Sequence, residues 1–557
     1  IMNDYFFKDK EFYIEDYHRQ KTFSSFLPGL AGKRGIPLWA FYVNRGQGIT
    51  AFGLENKDSQ ILEFSPAVTA YQTVGTDGFR TFVKVNGTVH EIFGENNLDT
   101  KRTMKIQRAE FSILEVNKDL GLQFEVTYFG LPNEKIAALV RQVTVTNLND
   151  EPIEFELVDG LGKLFPYKVG NGDFKVLGNL LRSWMEVYSL ENNVGFYRMR
   201  SSSSDSAEVV EVVRGNFYVS SFEGKLVKPI VDSNLIFGYD TSKRFARNFE
   251  EKSLKEIQSS NQVTANKIPV GFTGVDIVLG KNESKRIQTV IGHAHSEEML
   301  LEMVDFISNE EYLNKKRIEA SSEIDQILTD VDMKSAHPIF DDYIKQSYLD
   351  NLLRGGYPMI IEGEEKDFVY HLFSRRHGDL ERDYNYFTLA PEFYSQGNGN
   401  FRDVCQNRRN DNIFIPKVKD FNVKMFGSFI QADGFNPLGI NGSSFEIKDK
   451  QIVKSLTDKL FNGNETLLQL LSGKFTPGSI INTMANNNIE SPLTDDELFE
   501  IIFKDAKQIF EADFGEGYWI DHWTYILDLV ESYNAIYPEM LKDTLFNDMS
   551  YSFYESP

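Results

Sequence analysis

The apolar pattern of this chain changes period once, near residue 296, and that change limits the folds open to it. Before it, apolar residues alternate. Leu122, Phe124, Val126 and Tyr128 share one parity, and Gln123, Glu125 and Thr127 share the other. A period of two sends successive side chains to opposite faces, as in a strand with one face buried. Val143 and Val145, a polar run from Asn147 to Asp150, then Ile153, Phe155 and Leu157 read as a hairpin. Similar runs recur as far as Ile287 to Ile291. Short strands punctuated by Gly, Asn and Asp predict a large antiparallel sandwich over residues 1–295. Within it, PLWAFYVNRGQGITAFGLENKDSQILEFSPA reads as two strands joined by a glycine turn. In the alternative reading, Arg45 and Gln47 of that turn reach into a neighbouring domain's pocket.

After residue 296 the spacing becomes three and four. Met299, Leu300, Met303, Val304 and Ile307 recur with acidic residues between them, which predicts one or two linker helices over 296–334. From His337 the chain reads as helices separated by long polar connections. Ile344, Tyr348 and Leu352 form a stripe ending at Gly355. Thr494 to Glu497 is a capping box before Leu498, Ile501, Ile502 and Ile509. Trp523, Leu527 and Val530 mark a last helix that Pro538 stops. This alternation predicts a helical toroid over 335–557, with a site built at one end.

At 557 residues the chain exceeds a single core, so several domains are expected. A formal charge of −23 disfavours nucleic acid and anionic membranes as partners. It leaves a small anion open, because local arginines decide that. Cys405 has no second cysteine to pair with and reads as a buried structural thiol. No basic-then-apolar leader and no apolar run of membrane length is evident, so a cytoplasmic protein is expected. His371, His377 and His522 lack metal-ligand spacing, and no metal or cofactor is expected.

Three polar clusters stand out in the helical part. The densest is GNGNFRDVCQNRRND, Gly397 to Asp411, flanked by Tyr384, Tyr386, Phe387, Phe393 and Tyr394. Planar Arg, Asp, Asn and Gln side chains bind two hydroxyls at once, and aromatic rings cover the apolar face of a sugar, so the stretch reads as the floor of a glycan pocket. A solvated polar loop is the plainer reading. The others are SRRHGDLERDYNYF, Ser374 to Phe387, and GEGYWIDHWTY, Gly515 to Tyr525, with QADGFNPLGINGSS between as a turn-rich polar loop. In GEGYWIDHWTY, Asp521 and His522 lie between Trp519 and Trp523, a sugar-binding set or else a capped helix start over a core.

On FRDVCQN, QADG and GYWIDHW, with VRQVTVTNLNDEPIEFEL in the sandwich, the chain resembles the bacterial inverting β-glycoside phosphorylases. That family includes cellobiose, chitobiose, 1,2-β-oligoglucan and β-1,3-glucan phosphorylases. The resemblance implies a β-supersandwich, a helical linker, an (α/α)6 barrel and a C-terminal β-domain. It implies phosphorolysis of a β-linked glucoside to α-glucose 1-phosphate with inversion, inorganic phosphate being the co-substrate. Phosphate is already a nucleophile, so one general acid suffices, whereas an inverting hydrolase needs two carboxyl groups. Carried to this chain, Arg402 and Asp403 hold the glucosyl unit, Gln406 supports them, and Asp521 faces the sugar. Asn407 stands where shorter members often carry Asp. Arg408, Asp411, Trp519, His522 and Trp523 complete the substrate-binding candidates. The long stretch from Ile440 to Glu516 between QADG and GYWIDHW points to the oligoglucan-acting members. The family's general acid is expected beyond Pro557, with Asp521 as the fallback, so the chain is expected to be part of a longer protein or half of a split enzyme. Expected partners are a β-gluco-oligosaccharide, phosphate, and either a second copy in a homodimer or a second chain completing the barrel.

Overall fold

The computed structural model describes residues 4–95, 100–201, 212–363, 367–376 and 386–553. The chain divides into two compact units: Ile1–Ala31 with Gly35–Ile324, and Gly32–Arg34 with Asp325–Gly378 and Tyr386–Pro557.

The first unit is built on an 11-stranded antiparallel sheet. Its middle runs Glu110–Asn117, Leu122–Gly130, Ala137–Asn147, Ser284–Ala294, Gly215–Phe222. Two 4-stranded sheets share a core with it, one holding Gly271–Leu279, Ile153–Leu161, Phe79–Val85 and Thr88–Ile92, the other Ser24–Leu27, Trp39–Val43, Ile49–Gly53 and Gln60–Leu62. Leu122, Phe124, Val126 and Tyr128 all point into that core, as their alternation predicts. The opposite face of the large sheet is covered by the helices Glu297–Ile307 and Glu310–Leu328. Their Met299, Leu300, Val304, Ile307 and Leu313 cluster with Phe129, Val140, Val219 and Val290.

The run from Val143 to Leu157 is not a hairpin. Ala137–Asn147 pairs with Leu122–Gly130 and Ser284–Ala294, while Ile153–Leu161 pairs with Gly271–Leu279 and Phe79–Val85. The polar turn between them carries the chain from one layer to the other. The Asn147 amide pins it by donating to the carbonyls of Glu151 at 2.9 Å, Leu279 at 3.2 Å and Gly280 at 3.1 Å. Two strands facing across a sandwich alternate just as two paired strands do, so the period cannot separate them.

Arg141 shares the inward parity of Leu139 and Val143, and Asp159 that of Leu157 and Leu161. The two therefore meet between the layers, 2.7 Å apart, with both side chains 0% exposed. Arg141 also donates to the Tyr128 hydroxyl and, at 2.6 Å, to Gln47 Oε1. Thr81 Oγ1 donates to Asp159 at 2.6 Å and accepts from Gln47 at 2.9 Å. Gln47 is thus used inside the sandwich. The Arg45 guanidinium donates to the carbonyls of Asn44 at 2.7 Å and Gln20 at 2.9 Å, so both side chains are bonded within the first unit.

The second unit mixes helices with a sheet, which corrects the all-helical expectation. Pro338–Gly355 ends against Gly356 at φ 92, one residue past the predicted stop. QADGFNPLGINGSS is not loop throughout: Asn436–Glu446 is an 11-residue strand, sheeted with Gly399–Asn400, Lys474–Phe475 and Lys507–Gly517. Ile509 lies on Lys507–Gly517 and not on Asp495–Phe503, the helix that the Thr494–Glu497 capping box does start. Glycines conceal the strand in the sequence, and register shifts at Pro437/Gly439 and Ile440/Ser443 absorb its irregularity. The helices Phe401–Arg408, Phe421–Gly427 and Ile520–Ile536 close on a core that includes Phe401, Cys405, Phe426, Phe429 and Leu529. Among the described residues no helix is long and apolar enough to cross a membrane.

Beside that core, His371 Nε2 lies 2.9 Å from Asp411 Oδ2, which also accepts from Asn422 Nδ2 at 2.9 Å. Burial, with Arg408 acting the same way, lowers His371 from its usual 6.5 to about 4, against the opposing pull of Asp411.

Two outcomes follow for stability. Asp159→Ala leaves a guanidinium uncompensated in an apolar core and is expected to cost about 3–5 kcal/mol in urea denaturation, whereas Arg141→Met with Asp159→Leu costs less. For His371 the folded pKa lies below the unfolded one, so its contribution is fully present above 6.5 and is lost as pH falls toward about 4. Urea denaturation across that window should show a pH slope shallower by roughly 1.4 kcal/mol per pH unit in His371→Gln.

Candidate functional site

Half of the dense polar stretch is a helix. In Phe401–Arg408 the residues Phe401, Val404, Cys405 and Arg408 are buried, the i, i+3, i+4, i+7 spacing of one helical face. That spacing leaves the remaining polar side chains on the other faces. Arg402 points outward, its Nε 3.7 Å from Asp403 Oδ1. Asp403 accepts from Asn400 Nδ2 at 3.0 Å through its side chain, and from Asn407 Nδ2 at 2.6 Å through its carbonyl. Gln406 is half-buried. Asn407 and Asp411 line a cavity of about 20 Å³, room for about one water.

Two of the predicted residues lie elsewhere. Arg408 is buried, its Nε donating to the Gly355 carbonyl at 2.6 Å and its Nη1 3.3 Å from Met425 Sδ. Asp411 is the buried carboxylate beside His371. Both sit in the interior network and not on the outward face of the helix. Burial pushes the Cys405 thiol up, which disfavours the thiolate.

The helix Ile520–Ile536 packs alongside. The rings of Phe401 and His522 stack at 4.5 Å and 3°, and further along Arg409 Nη1 lies 3.3 Å from Asp528 Oδ2. The partners advance in the same order, so the helices run parallel and their N-termini lie side by side. Neither N-cap, Asn400 or Trp519, makes a side-chain cap, so two partly positive helix ends face the same way. The strand pair delivers a third segment to this end. Asn436 pairs with Gly517, and the turn Gln431–Gly434 folds back so that Gln431 Nε2 donates to Glu516 Oε2 at 2.8 Å. Gly434 sits at φ +88, and a Cβ there would come 3.3 Å from the Tyr518 ring.

FRDVCQN, QADG and GYWIDHW, far apart in sequence, thus meet at one end of two parallel helices. Asp521 and Arg402 are exposed there. Trp519 and Trp523 are 37% and 38% exposed. His522 is buried between Phe401 and Trp519, with its Nδ1 bonded to Asn436 Oδ1. Burial holds His522 below its usual range, with the Arg402 charge acting the same way and Asp521 against it. His522 thus positions the Trp519 indole. Asn436, which fixes the ring, and Asn400, which fixes Asp403, carry no signal in the sequence, since an isolated Asn reads as a turn residue. Of the cluster Ser374 to Phe387, residues 377–385 lie outside the described ones. Arg376 Nη1 donates to the Tyr386 carbonyl at 3.3 Å, and Asn398 Nδ2 to the same carbonyl at 3.2 Å, tying its ends to the polar stretch. Among the described residues, no three His, Cys, Asp or Glu side chains are grouped to hold a metal ion.

Exposed indoles next to outward Arg and Asp side chains can stack on a sugar ring while binding its hydroxyls. The paired helix ends and Arg402 can hold an anion.

Compared with known proteins, the sequence matches no family model and no curated protein. Among solved structures, a bacterial glucoamylase complexed with acarbose is similar over 91% of this chain and 66% of its own, with 11% identity and a TM-score of 0.38. A putative kojibiose phosphorylase from the human microbiome is similar over 63% of this chain and 33% of its own, with 8% identity and a TM-score of 0.22. The chain spans less than two thirds of the length of either structure, and neither superposition defines a shared fold.

Proposed function

We propose that this chain belongs to an enzyme that cleaves β-linked gluco-oligosaccharides, 1,2-β or 1,3-β, by inverting phosphorolysis. The observation that carries the reading is the meeting of FRDVCQN, QADG and GYWIDHW at one helix end. Trp519 and Trp523 take the apolar face of the glucosyl ring, while Arg402, Asp403 and Asp521 bind its hydroxyls. Arg402 and the paired helix N-termini favour phosphate. A phosphate oxygen attacks the anomeric carbon from the face opposite the glycosidic oxygen. The carbon–oxygen bond to the neighbouring sugar breaks, and that oxygen takes a proton from a carboxylic acid, for which Asp521 is the fallback on this chain. Inversion gives α-glucose 1-phosphate. The proposal includes an (α/α)6 barrel begun by the helices after residue 335, a linker over 296–334, assembly as a homodimer or with a chain that completes the barrel, and a cytoplasmic setting.

The test is release of α-glucose 1-phosphate from sophoro- and laminari-oligosaccharides, followed by a coupled assay and by NMR of the anomeric proton. Release is expected only with inorganic phosphate, and Arg402→Ala or Trp519→Ala should each lower kcat/KM by roughly 10²-fold, a loss of about 2–3 kcal/mol. Phosphate-independent release of glucose would make the enzyme a hydrolase, and glycan binding without turnover would make the chain a binding module.

A further inference from the structure

We propose that the first unit carries a second saccharide site, for a single uncharged pyranose ring, in a cavity unrelated to the three motifs. The cavity has a volume of about 220 Å³. A single water needs roughly 10–15 Å³ of such space, so the cavity has room for roughly a dozen waters or more and hence for one sugar ring. Separate segments of one unit form its walls: the turn at Gly46–Gln47, the helix Ala67–Asp77, the strands Phe79–Val85 and Thr88–Ile92, the turn after them, and the loop at Arg244–Phe245.

The floor is polar but carries no net charge. Arg80 is buried; its Nε donates to Glu91 Oε1 at 2.6 Å, its Nη1 to the Lys243 carbonyl and its Nη2 to the Arg244 carbonyl at 3.0 Å. The guanidinium N–H groups not used in these bonds remain, and with the Arg80 charge balanced by the contact to Glu91 they suit hydroxyl groups. One wall is strained. Phe93 holds φ +58, a conformation a bulky residue rarely adopts. It is pinned there because the Phe93 N–H donates to Glu115 Oε2 at 2.7 Å, while Arg102, ion-paired to the same Glu115 at 2.8 Å, donates to the Gly94 carbonyl at 2.7 Å. A buried ion pair spent on holding a strained turn fixes the shape of the cavity wall before any ligand arrives. At the mouth, Gln72 and Arg244 are exposed, and Phe245 is 43% exposed. The mouth therefore offers a ring for the apolar face of a sugar and two planar groups for its hydroxyls.

Calorimetric titration of the full chain with D-glucose, D-galactose and D-mannose tests this, with inorganic phosphate as a competitor. At least one hexose is expected to bind to the double variant Arg402→Ala/Trp519→Ala as tightly as to the wild type. Arg244→Ala and Phe245→Ala, both at exposed positions and checked for unchanged thermal unfolding, should each weaken that binding tenfold or more. The proposal is overturned if no hexose binds, if the double variant loses the binding, if Arg244→Ala and Phe245→Ala bind like the wild type, or if phosphate displaces the sugar. Loss of glucose 1-phosphate release in the double variant bears only on the helix-end site, so the two proposals fail separately.

Discussion

The ion pair between Arg141 and Asp159 is the constraint around which the first unit is assembled. Each residue lies at an inward position of a strand whose neighbours at that parity are apolar, and the two strands belong to different layers. A slip of one residue in either strand would turn one partner to the opposite face and strand the other charge in the core. Tyr128, Thr81 and Gln47 complete the network from three further segments. One buried pair thus ties these two strands to each other and to the turn that supplies Gln47. Apolar residues alone would tolerate several registers here. The charged pair admits one.

The sequence makes the strands legible but not the layers they join. The alternation at Leu122–Tyr128 states which side is buried, and the structure agrees. The same alternation at Val143–Leu157 says nothing about which strand is the hydrogen-bonding neighbour, and the adjacent strands prove to lie in different sheets. Helices with clear caps, such as the one begun by Thr494, are legible for the same local reason. The strand Asn436–Glu446 is hidden because its glycines and serines lack β propensity, and its stability comes from partners distant in sequence. Gln508 Nε2 donates to Ser443 Oγ at 3.0 Å, and Gln396 Nε2 donates to the Ser443 carbonyl at 2.6 Å.

At the candidate site, polar density marks a stretch but does not tell which of its side chains face outward. Helical spacing sorts GNGNFRDVCQNRRND into an inner set, with Arg408 beside Phe401 and Cys405, and an outer set with Arg402. Arg408 is invisible as an interior residue from composition, because Arg is seldom buried without a visible partner. Here its partners are the Gly355 carbonyl and the Met425 sulfur, neither of which a sequence pattern reveals. The meeting of QADG with GYWIDHW is likewise a product of strand pairing, in which Asn436 opposite Gly517 sets the two segments side by side.

A chain of net charge −23 that is proposed to use phosphate must hold it by local forces. At physiological ionic strength the Debye length is about 8 Å, so exposed carboxylates beyond that distance act weakly on a bound anion. What counts is the set within reach: the exposed guanidinium of Arg402 and the helix N-termini that no N-cap side chain satisfies, set against the first-turn carboxylates Asp403 and Asp521. The stack of Phe401 on His522 decides whether those two ends coincide, because it locks the helices at their first turns. His522 is suited to this as a neutral ring. Its burial disfavours the charged form, with the Asp521 carboxylate pulling the other way and the Arg402 charge acting with burial. The aromatic contact, and not the carboxylates around it, is therefore the element that brings the polar groups of the site into register.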